Sequence, residues 1–160
     1  TIEYYLRRTS HGSTLSRVVH SWVLARSDRR RAWHHFLAAL DADVHDTQGG
    51  TTAEGIHLGA MAGTVDLLQR GFTGLETRAD ELWIDPCLPE ELTELRFRLR
   101  YRGSYGVYLT VRHDHLVVSG QRPERDRRLQ LADQPFLIVL AGDLAGLHER
   151  ANAGYGQWAG

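Results

Sequence analysis

Hydrophobic residues follow a helical period in the first part of the chain. Between about Ser13 and Arg70 they recur every three or four positions. One apolar stripe consists of Leu15, Val18, Val19, Trp22 and Val23, and another consists of Trp33, Phe36, Leu37 and Leu40. Ser27 and Asp28, between the two stripes, are typical of a turn followed by a helix N-cap. The pattern therefore predicts two antiparallel helices.

A third helix is predicted from about Thr52 to Gln69. Its start, Thr51-Thr52-Ala53-Glu54, has the spacing of a capping box, with a hydroxyl at the cap and a carboxylate three residues later. Gly71 is placed to end this helix, because glycine readily adopts the left-handed conformation found after helix C-termini.

After Gly71 the hydrophobic period changes to two. Apolar residues at 95, 97, 99 and 101 alternate with arginines at 96, 98, 100 and 102, which predicts a strand with one buried and one solvent-exposed face. Further strands are predicted at 81–85, 105–112, 115–119 and 136–140, with Asp114 in a hairpin turn. Helices followed by strands predict an α+β chain: a helical part, residues 1–70, and a β part, residues 71–160, with a small antiparallel sheet or sandwich.

Composition narrows the class of protein. The 160 residues are 42% hydrophobic and 24% charged, as in globular proteins, and the formal net charge of -1 argues against a nucleic-acid partner bound by a broad basic surface. All 19 basic residues are arginine, which excludes lysine Schiff-base and Walker-A chemistry. Cys87 is the single cysteine, and no apolar stretch is long enough to span a bilayer. We therefore expect a cytoplasmic protein without a membrane partner.

Two loop-to-helix segments carry residues that could bind an anion. In Gln48-Gly49-Gly50-Thr51-Thr52-Ala53-Glu54-Gly55-Ile56-His57, two glycines lead to a helix N-terminus, where free N–H groups and the helix dipole favour negative charge. His57 is expected about one turn into that helix. The segment Ser10-His11-Gly12-Ser13-Thr14-Leu15-Ser16 repeats the arrangement, with Ser13 and Thr14 as hydroxyl donors. The alternative for both segments is a tight loop and an ordinary helix cap.

Other chemistry has less support in the sequence. Ser13 does not lie in a Gly-x-Ser-x-Gly elbow and has no evident partner base, so serine hydrolase chemistry is excluded. His34 and His35 are adjacent and point apart on a helix, and the pair of histidines around Asp114 lacks the downstream glutamate of a cupin metal site. We therefore expect no metal and no other cofactor.

The two glycine–hydroxyl motifs together resemble glycoside hydrolase family 65, the group of maltose, trehalose and kojibiose phosphorylases and related hydrolases. The resemblance runs in order through about residues 1–120. Besides both motifs it includes Leu58-Gly59-Ala60-Met61-Ala62-Gly63, Gln69-Arg70-Gly71-Phe72-Thr73-Gly74, Pro86-Cys87-Leu88-Pro89 and the arginine-alternating strand. The resemblance implies that residues 1–70 are the last helices of an (α/α)6 catalytic barrel and that residues 71–160 are the C-terminal β domain.

The resemblance also implies a reaction, in which inorganic phosphate, as co-substrate, cleaves an α-glucosidic bond of a disaccharide with inversion to give β-glucose 1-phosphate. Carried onto this sequence, the phosphate-binding positions are Ser13, Thr14 and His57, with Gly12 beside them; the family commonly has serine where Thr14 stands. The general acid is a glutamate of an earlier barrel segment, so no catalytic residue is expected in this chain, which alone would be inactive.

Several alternatives stay open at this stage. A hydrolase of the same family would need a carboxylate base in the phosphate position, and a third possibility is a non-catalytic structural or carbohydrate-binding fragment. Three helices do not close a twelve-helix barrel, so we expect their apolar stripes to need a partner. That partner would be the missing N-terminal part of the enzyme or another copy of the chain, in an oligomer. The sequence does not identify the disaccharide, whether trehalose, maltose or kojibiose.

Overall fold

Two units make up the chain in a computed structural model, which describes residues 1–78, 81–101, 104–119, 128–131 and 137–141. The first unit is Thr1–Phe72 with Cys87–Glu91, and the second is Thr73–Pro86 with Leu92–Gly160. The first is helical and the second contains the strands. No helix in the described part of the chain is long and apolar enough to cross a membrane.

The first unit is built from four α-helices and two short helical segments. The α-helices are α1 (Ile2–Leu6), α2 (Thr14–Leu24), α3 (Arg29–Leu40) and α4 (Leu58–Asp66). A 3-10 helix at Thr51–Glu54 precedes α4, and a π-helical turn at Leu67–Gly71 follows it.

The predicted pairing of the first two long helices is confirmed. Asp28 caps α3, because its Oδ1 accepts a hydrogen bond from the Arg31 backbone N–H at 3.0 Å. In the buried interface, the Ser21 hydroxyl of α2 donates to the Ala32 carbonyl of α3 at 2.8 Å. Arg17, one turn before Ser21, contacts His35, one turn after Ala32, so the two helices are antiparallel.

α2 and α4 lie side by side and run in the same direction. A Cβ atom placed on Gly59 would lie 3.6 Å from Leu15 Cδ2, and one placed on Gly63 would lie 2.6 Å from Val18 Cγ1. Contacts thus advance along both helices together, from Leu15 and Gly59 to Val18 and Gly63. This close approach brings the N-termini of α2 and α4 to the same end of the unit.

The apolar stripes of the helices are only partly exposed. Val18 and Phe36, which we expected to need a partner, are buried within the chain. Val18 packs against α4, and Phe36 stacks on Trp33 and meets Phe72 edge to face at ring-centroid distances of 4.9 and 5.9 Å. The exposed stripe of α2 is Leu15, Val19 and Val23, each about half exposed. One face of α2 therefore has no cover among the described residues.

The third helix differs from its prediction. The capping box is wrong, because Thr51–Glu54 forms a 3-10 helix that has no side-chain cap. Gly55 then adopts φ 130°, a backbone conformation open to glycine, and interrupts the helix. α4 begins only at Leu58, so His57 is its N-cap residue and does not lie one turn inside it.

The described residues of the second unit form two small sheets. Their strands are β1 (Glu76–Arg78), β2 (Glu81–Ile84), β3 (Glu94–Tyr101), β4 (Ser104–Arg112), β5 (His115–Ser119), β6 (Arg128–Leu131) and β7 (Leu137–Ala141). One sheet has the order β1-β2-β6, and the other has the order β3-β4-β5-β7.

The predicted antiparallel pairing is present in both sheets, but each sheet also contains one parallel pairing that the prediction did not include. β1–β2 and β3–β4–β5 are antiparallel, but β6 pairs in parallel with β2, and β7 in parallel with β5. The reason lies in the chain path: after β5 the chain leaves its sheet, adds β6 to the other one, and returns for β7. A strand that returns after such a crossover, not a hairpin, can join in parallel.

The strand that alternates arginine with apolar residues is as predicted as far as Tyr101, and Arg102 lies outside the described residues. Arg96, Arg98 and Arg100 of β3 are exposed, whereas Leu95, Phe97 and Leu99 are half-buried and Tyr101 is buried. The turn between β4 and β5 contains His113 and Asp114, also as predicted. Glu94, at the start of β3, forms ion pairs with Arg96 and Arg112.

Candidate functional site

The two loop-to-helix segments lie next to each other in the structure. Gly59, at the start of α4, faces Leu15, at the start of α2. The loops before the helices are also joined, because the Gln48 amide Nε2 donates to the His11 carbonyl at 3.1 Å. The residues that the resemblance singled out, Gly12 and Ser13 on one side and His57 on the other, therefore belong to one end of the helical unit.

His57 is held firmly by a residue that the sequence analysis missed. The Asp43 carboxylate accepts the His57 backbone N–H at Oδ2 (2.9 Å), and its Oδ1 lies 2.5 Å from His57 Nδ1. The side chain of Asp43 is only 8% exposed, whereas that of His57 is 31% exposed. The hydrogen bond from the His57 ring, together with that from its backbone, lowers the pKa of Asp43.

This pairing decides which ring nitrogen faces outward. An ionised carboxylate only accepts hydrogen bonds, so the proton shared with Asp43 sits on Nδ1 of His57. Nε2 is the nitrogen left for a ligand. An imidazole oriented by a buried carboxylate is the usual arrangement where a histidine acts on a bound group.

A second carboxylate shapes the glycine-rich loop. Asp46 accepts the backbone N–H of Gly50 at 2.6 Å and that of Thr52 at 3.2 Å. These bonds lower the pKa of Asp46, with the one from Thr52 contributing most. Asp46 itself adopts φ 46°, a left-handed conformation that asparagine and aspartate tolerate best after glycine.

These contacts change which groups of the glycine-rich loop could bind an anion. The backbone donors of Gly50, Thr52 and His57 are engaged by aspartates of the same loop, so they are not offered to an external anion. The side chain that the loop presents is that of His57, through Nε2. The Thr51 oxygen is buried and has no hydrogen-bond partner among the described residues.

The other segment presents hydroxyls at the start of α2. Ser13 is the N-cap, and its Oγ accepts the Leu15 backbone N–H at 3.3 Å, which leaves its hydroxyl proton free to donate. Ser13 is exposed, whereas Thr14 is 5% exposed. A side chain at Gly12 would meet no atom within 4 Å, so the backbone there is open to approach.

Neither His34 nor His115, both weighed earlier as metal ligands, belongs to a group of three possible ligands in the described part of the chain. His115 Nδ1 bonds Asp114 Oδ1 at 2.7 Å in the β4–β5 turn, and the described residues place no third ligand beside this pair. His34 is exposed on α3, and its ring centroid lies 6.1 Å from that of its neighbour His35.

Asp43 and Asp46 were not predicted as site residues, because no local sequence motif distinguishes them. They stand in the segment Asp41-Ala42-Asp43-Val44-His45-Asp46, which has the composition of a solvated loop. Asp43 lies 14 residues from His57, a separation that follows neither the helical nor the strand period. An acidic loop before a Gly-Gly pair was the available signal.

Two family descriptions match the chain in order. Residues 1–66 match the glycosyl hydrolase family 65 central catalytic domain, and residues 75–138 match the family 65 C-terminal domain. A solved structure named as a kojibiose phosphorylase from the human microbiome has a similar fold, with a TM-score of 0.71 and 22% sequence identity. The match covers 87% of this chain and 20% of that chain.

Curated relatives agree with this assignment. An uncharacterized glycosyl hydrolase of Mycobacterium tuberculosis is 58% identical over 102 residues, 64% of this chain and 8% of its own. Trehalose 6-phosphate phosphorylase of Lactococcus lactis is 42% identical over 103 residues, and kojibiose phosphorylase of Caldanaerobacter subterraneus is 38% identical over 104. The chain thus spans 8 to 13% of the length of these relatives. It belongs to glycosyl hydrolase family 65, and it matches the central catalytic domain over residues 1–66 and the C-terminal domain over residues 75–138.

Proposed function

We propose that this chain supplies the phosphate side of the active site of an inverting disaccharide phosphorylase. In the reaction, phosphate attacks the anomeric carbon of an α-glucoside and β-glucose 1-phosphate forms, with inorganic phosphate as co-substrate and no other cofactor. The observation that carries the proposal is the Asp43–His57 pair at the start of α4, beside the start of α2. Relatives named as trehalose 6-phosphate and kojibiose phosphorylases support the reaction class.

The side chains of the two segments suit an oxyanion with several acceptor oxygens. Nε2 of His57, once protonated, donates to one phosphate oxygen, and the Asp43 carboxylate balances the imidazolium charge. The Ser13 hydroxyl donates to another oxygen while its lone pair keeps the cap of α2. Thr14 and the open backbone at Gly12 complete this side.

Phosphate needs positioning more than activation. It is already an anion at neutral pH, so a strong general base, required when water attacks in an inverting hydrolase, is not needed here. Asp43 is poorly placed to serve as such a base, because it is buried and both of its oxygens are bound to His57. The general acid that protonates the departing oxygen is proposed to come from an earlier barrel segment, outside this chain.

The uncovered face of the helices fits a chain that completes its fold with another segment. Leu15, Val19 and Val23 form a continuous exposed stripe on α2. We propose that the preceding barrel helices, or a second copy of the chain, cover it. Buried apolar area would then stabilise the assembly by about 25 cal/mol per Å².

The test is an assay of β-glucose 1-phosphate. The chain, expressed alone and together with its upstream coding region, is incubated with trehalose, trehalose 6-phosphate, maltose or kojibiose, with and without phosphate. Product from the longer polypeptide that requires phosphate supports the proposal. Free glucose formed equally well without phosphate would identify a hydrolase instead.

A site variant sharpens the assay. His57→Asn removes the imidazole and should raise the KM for phosphate much more than the KM for the sugar. His45→Asn is the matched control, because His45 also pairs with an aspartate but is exposed and lies outside the site. An equal effect of both variants would remove His57 from the phosphate site.

A further inference from the structure

Three histidines gather on the helical unit, and none of them is among the residues proposed to hold phosphate. His11 comes from the loop before α2, His20 from α2 and His35 from α3, and one ring nitrogen of each lies within 4.8 Å of the others. The ring centroids of His11 and His20 are 4.8 Å apart, and those of His20 and His35 are 5.1 Å apart. Each ring therefore contacts the others directly.

His20 is the buried member of the cluster. It is 8% exposed, and its Nδ1 is buried without a hydrogen-bond partner in the described part of the chain. A buried polar atom left unpaired costs about 1–3 kcal/mol, and native proteins usually satisfy such atoms with protein, water or a bound ion. A bound ion at the cluster is one of the partners that would satisfy a buried nitrogen of His20.

His11 is already oriented as a ligand. The Ser16 hydroxyl donates its one proton to the Ser13 carbonyl at 2.7 Å, so at its 2.8 Å contact with His11 it can only accept. His11 Nδ1 must therefore carry the proton, and Nε2 carries the lone pair. A hydrogen bond on the far nitrogen is the outer contact that fixes the tautomer of metal-bound imidazoles.

We propose that His11, His20 and His35 form a binding site for a divalent transition-metal ion of the zinc class. Three imidazoles and an open fourth position suit Zn²⁺, whose bonds to histidine nitrogen measure about 2.0–2.1 Å and place tetrahedral ligands about 3.3 Å apart. The distance between the two farthest nitrogens, at most 4.8 Å, would shorten by about 1.5 Å when the ion binds. His11 lies in a loop and the His35 side chain is half-buried, so both rings have room to turn.

Arg17 limits the strength of this site. Its Nη1 lies 3.4 Å from His35 Nδ1, and its positive charge opposes a cation at the cluster. Its side chain is only partly buried, so the guanidinium can turn towards solvent when His35 binds a metal. Arg17 thus competes with the ion for His35, and its removal should tighten binding.

The experiment uses the 160-residue chain without an affinity tag, freed of metal with a chelator. Zn²⁺ is added in a calorimeter, and Co²⁺ is added while the visible absorption of tetrahedral cobalt is recorded. We expect one ion per chain, and an affinity at least about tenfold lower in His11→Asn, His20→Asn and His35→Asn. Arg17→Gln should bind more tightly, and His34→Asn and His45→Asn, at exposed positions, should bind as the unaltered chain does.

Circular dichroism shows whether each variant keeps its helices. Should His20→Asn unfold, His11→Asn and His35→Asn, at less buried positions, decide the question. The proposal is overturned when the unaltered chain takes up no stoichiometric Zn²⁺, or when His11→Asn and His35→Asn bind the ion as tightly as it does. The test measures metal alone, so it stands apart from the assay of phosphorolysis.

Discussion

The Asp43 carboxylate accepts two hydrogen bonds from His57, one from the backbone N–H (2.9 Å) and one from the ring Nδ1 (2.5 Å). The pair ties the loop after α3 to the N-cap residue of α4. Because the carboxylate side chain is buried and the imidazole is partly exposed, the aspartate orients the ring and Nε2 faces outward. Asp43 is therefore a positioning residue for His57.

Asp43→Asn should weaken phosphate binding through His57. The amide has no charge to hold the Nδ1 proton, so the imidazole loses its fixed tautomer, and we expect the KM for phosphate to rise about tenfold. Phosphate titrations of the longer polypeptide, with ¹⁵N NMR of the His57 ring to follow its tautomer, measure both effects.

The control for this change is Asp41→Asn. Asp41 bonds His45 Nδ1 at 2.6 Å, but both side chains are at least half exposed, so the loss should have little effect. Equal KM values for the two variants would show that Asp43 does not act through His57.

Gly63→Ala should destabilise the helical unit by about 1–3 kcal/mol, as overpacking does. The added methyl would lie 2.6 Å from Val18 Cγ1, so α2 and α4 must separate or Val18 must move. Gly59→Ala is the matched control, because its methyl would meet Leu15 at an ordinary 3.6 Å and alanine favours the helix. Urea unfolding of the unaltered chain and the two variants measures the loss of stability. A urea midpoint of Gly63→Ala equal to or above that of Gly59→Ala would contradict the close packing of Gly63 against Val18.

Acid should destabilise the helical unit through His35. Burial lowers the pKa of His35 to about 4 from its ordinary 6.5, with further contributions from the neighbouring His20, Arg17, His11 and His34. Between these two values the unfolded chain binds the proton and the folded chain does not, so stability falls as pH drops from about 6.5 towards 4.

His35→Asn should reduce the fall in stability on acidification, because the variant has no group to protonate at this position. Urea midpoints measured at about pH 7 and about pH 5 in the presence of a chelator give the comparison. His45→Asn, altered at an exposed position, should keep the slope of the unaltered chain. A His35→Asn protein that loses as much stability on acidification would refute the assignment to His35.

Val19→Asp should reduce self-association of the 160-residue chain. Val19 is 55% exposed in the middle of the uncovered stripe of α2, so a charge there opposes burial of this face while leaving the core intact. Light scattering after size exclusion measures the mass of each protein. Ser27→Asp, at an exposed position in the α2–α3 turn, adds the same charge outside the stripe and should change nothing. A monomeric unaltered chain would contradict the prediction.

Local patterns predicted most of the elements. The Asp28 cap, the α2–α3 pair, and the strands at 81–84, 104–112, 115–119 and 137–141 follow from short-range periodicity and turn chemistry. The start of the third helix was predicted wrongly, because a capping-box spacing does not specify the φ that Gly55 adopts. The parallel pairing of β6 and β7 depends on a crossover between sheets, which no local pattern encodes.

Sequence motifs identify the family of this protein and the two segments, around Ser13 and His57, that the resemblance assigns to phosphate. The side-chain contacts around these segments depend on the tertiary structure. It placed Asp43 on His57 and gathered His11, His20 and His35 from a loop and two helices. The physical reason is that helix caps and amphipathic periods are local, whereas side chains separated by 9 to 24 residues meet only when helices pack.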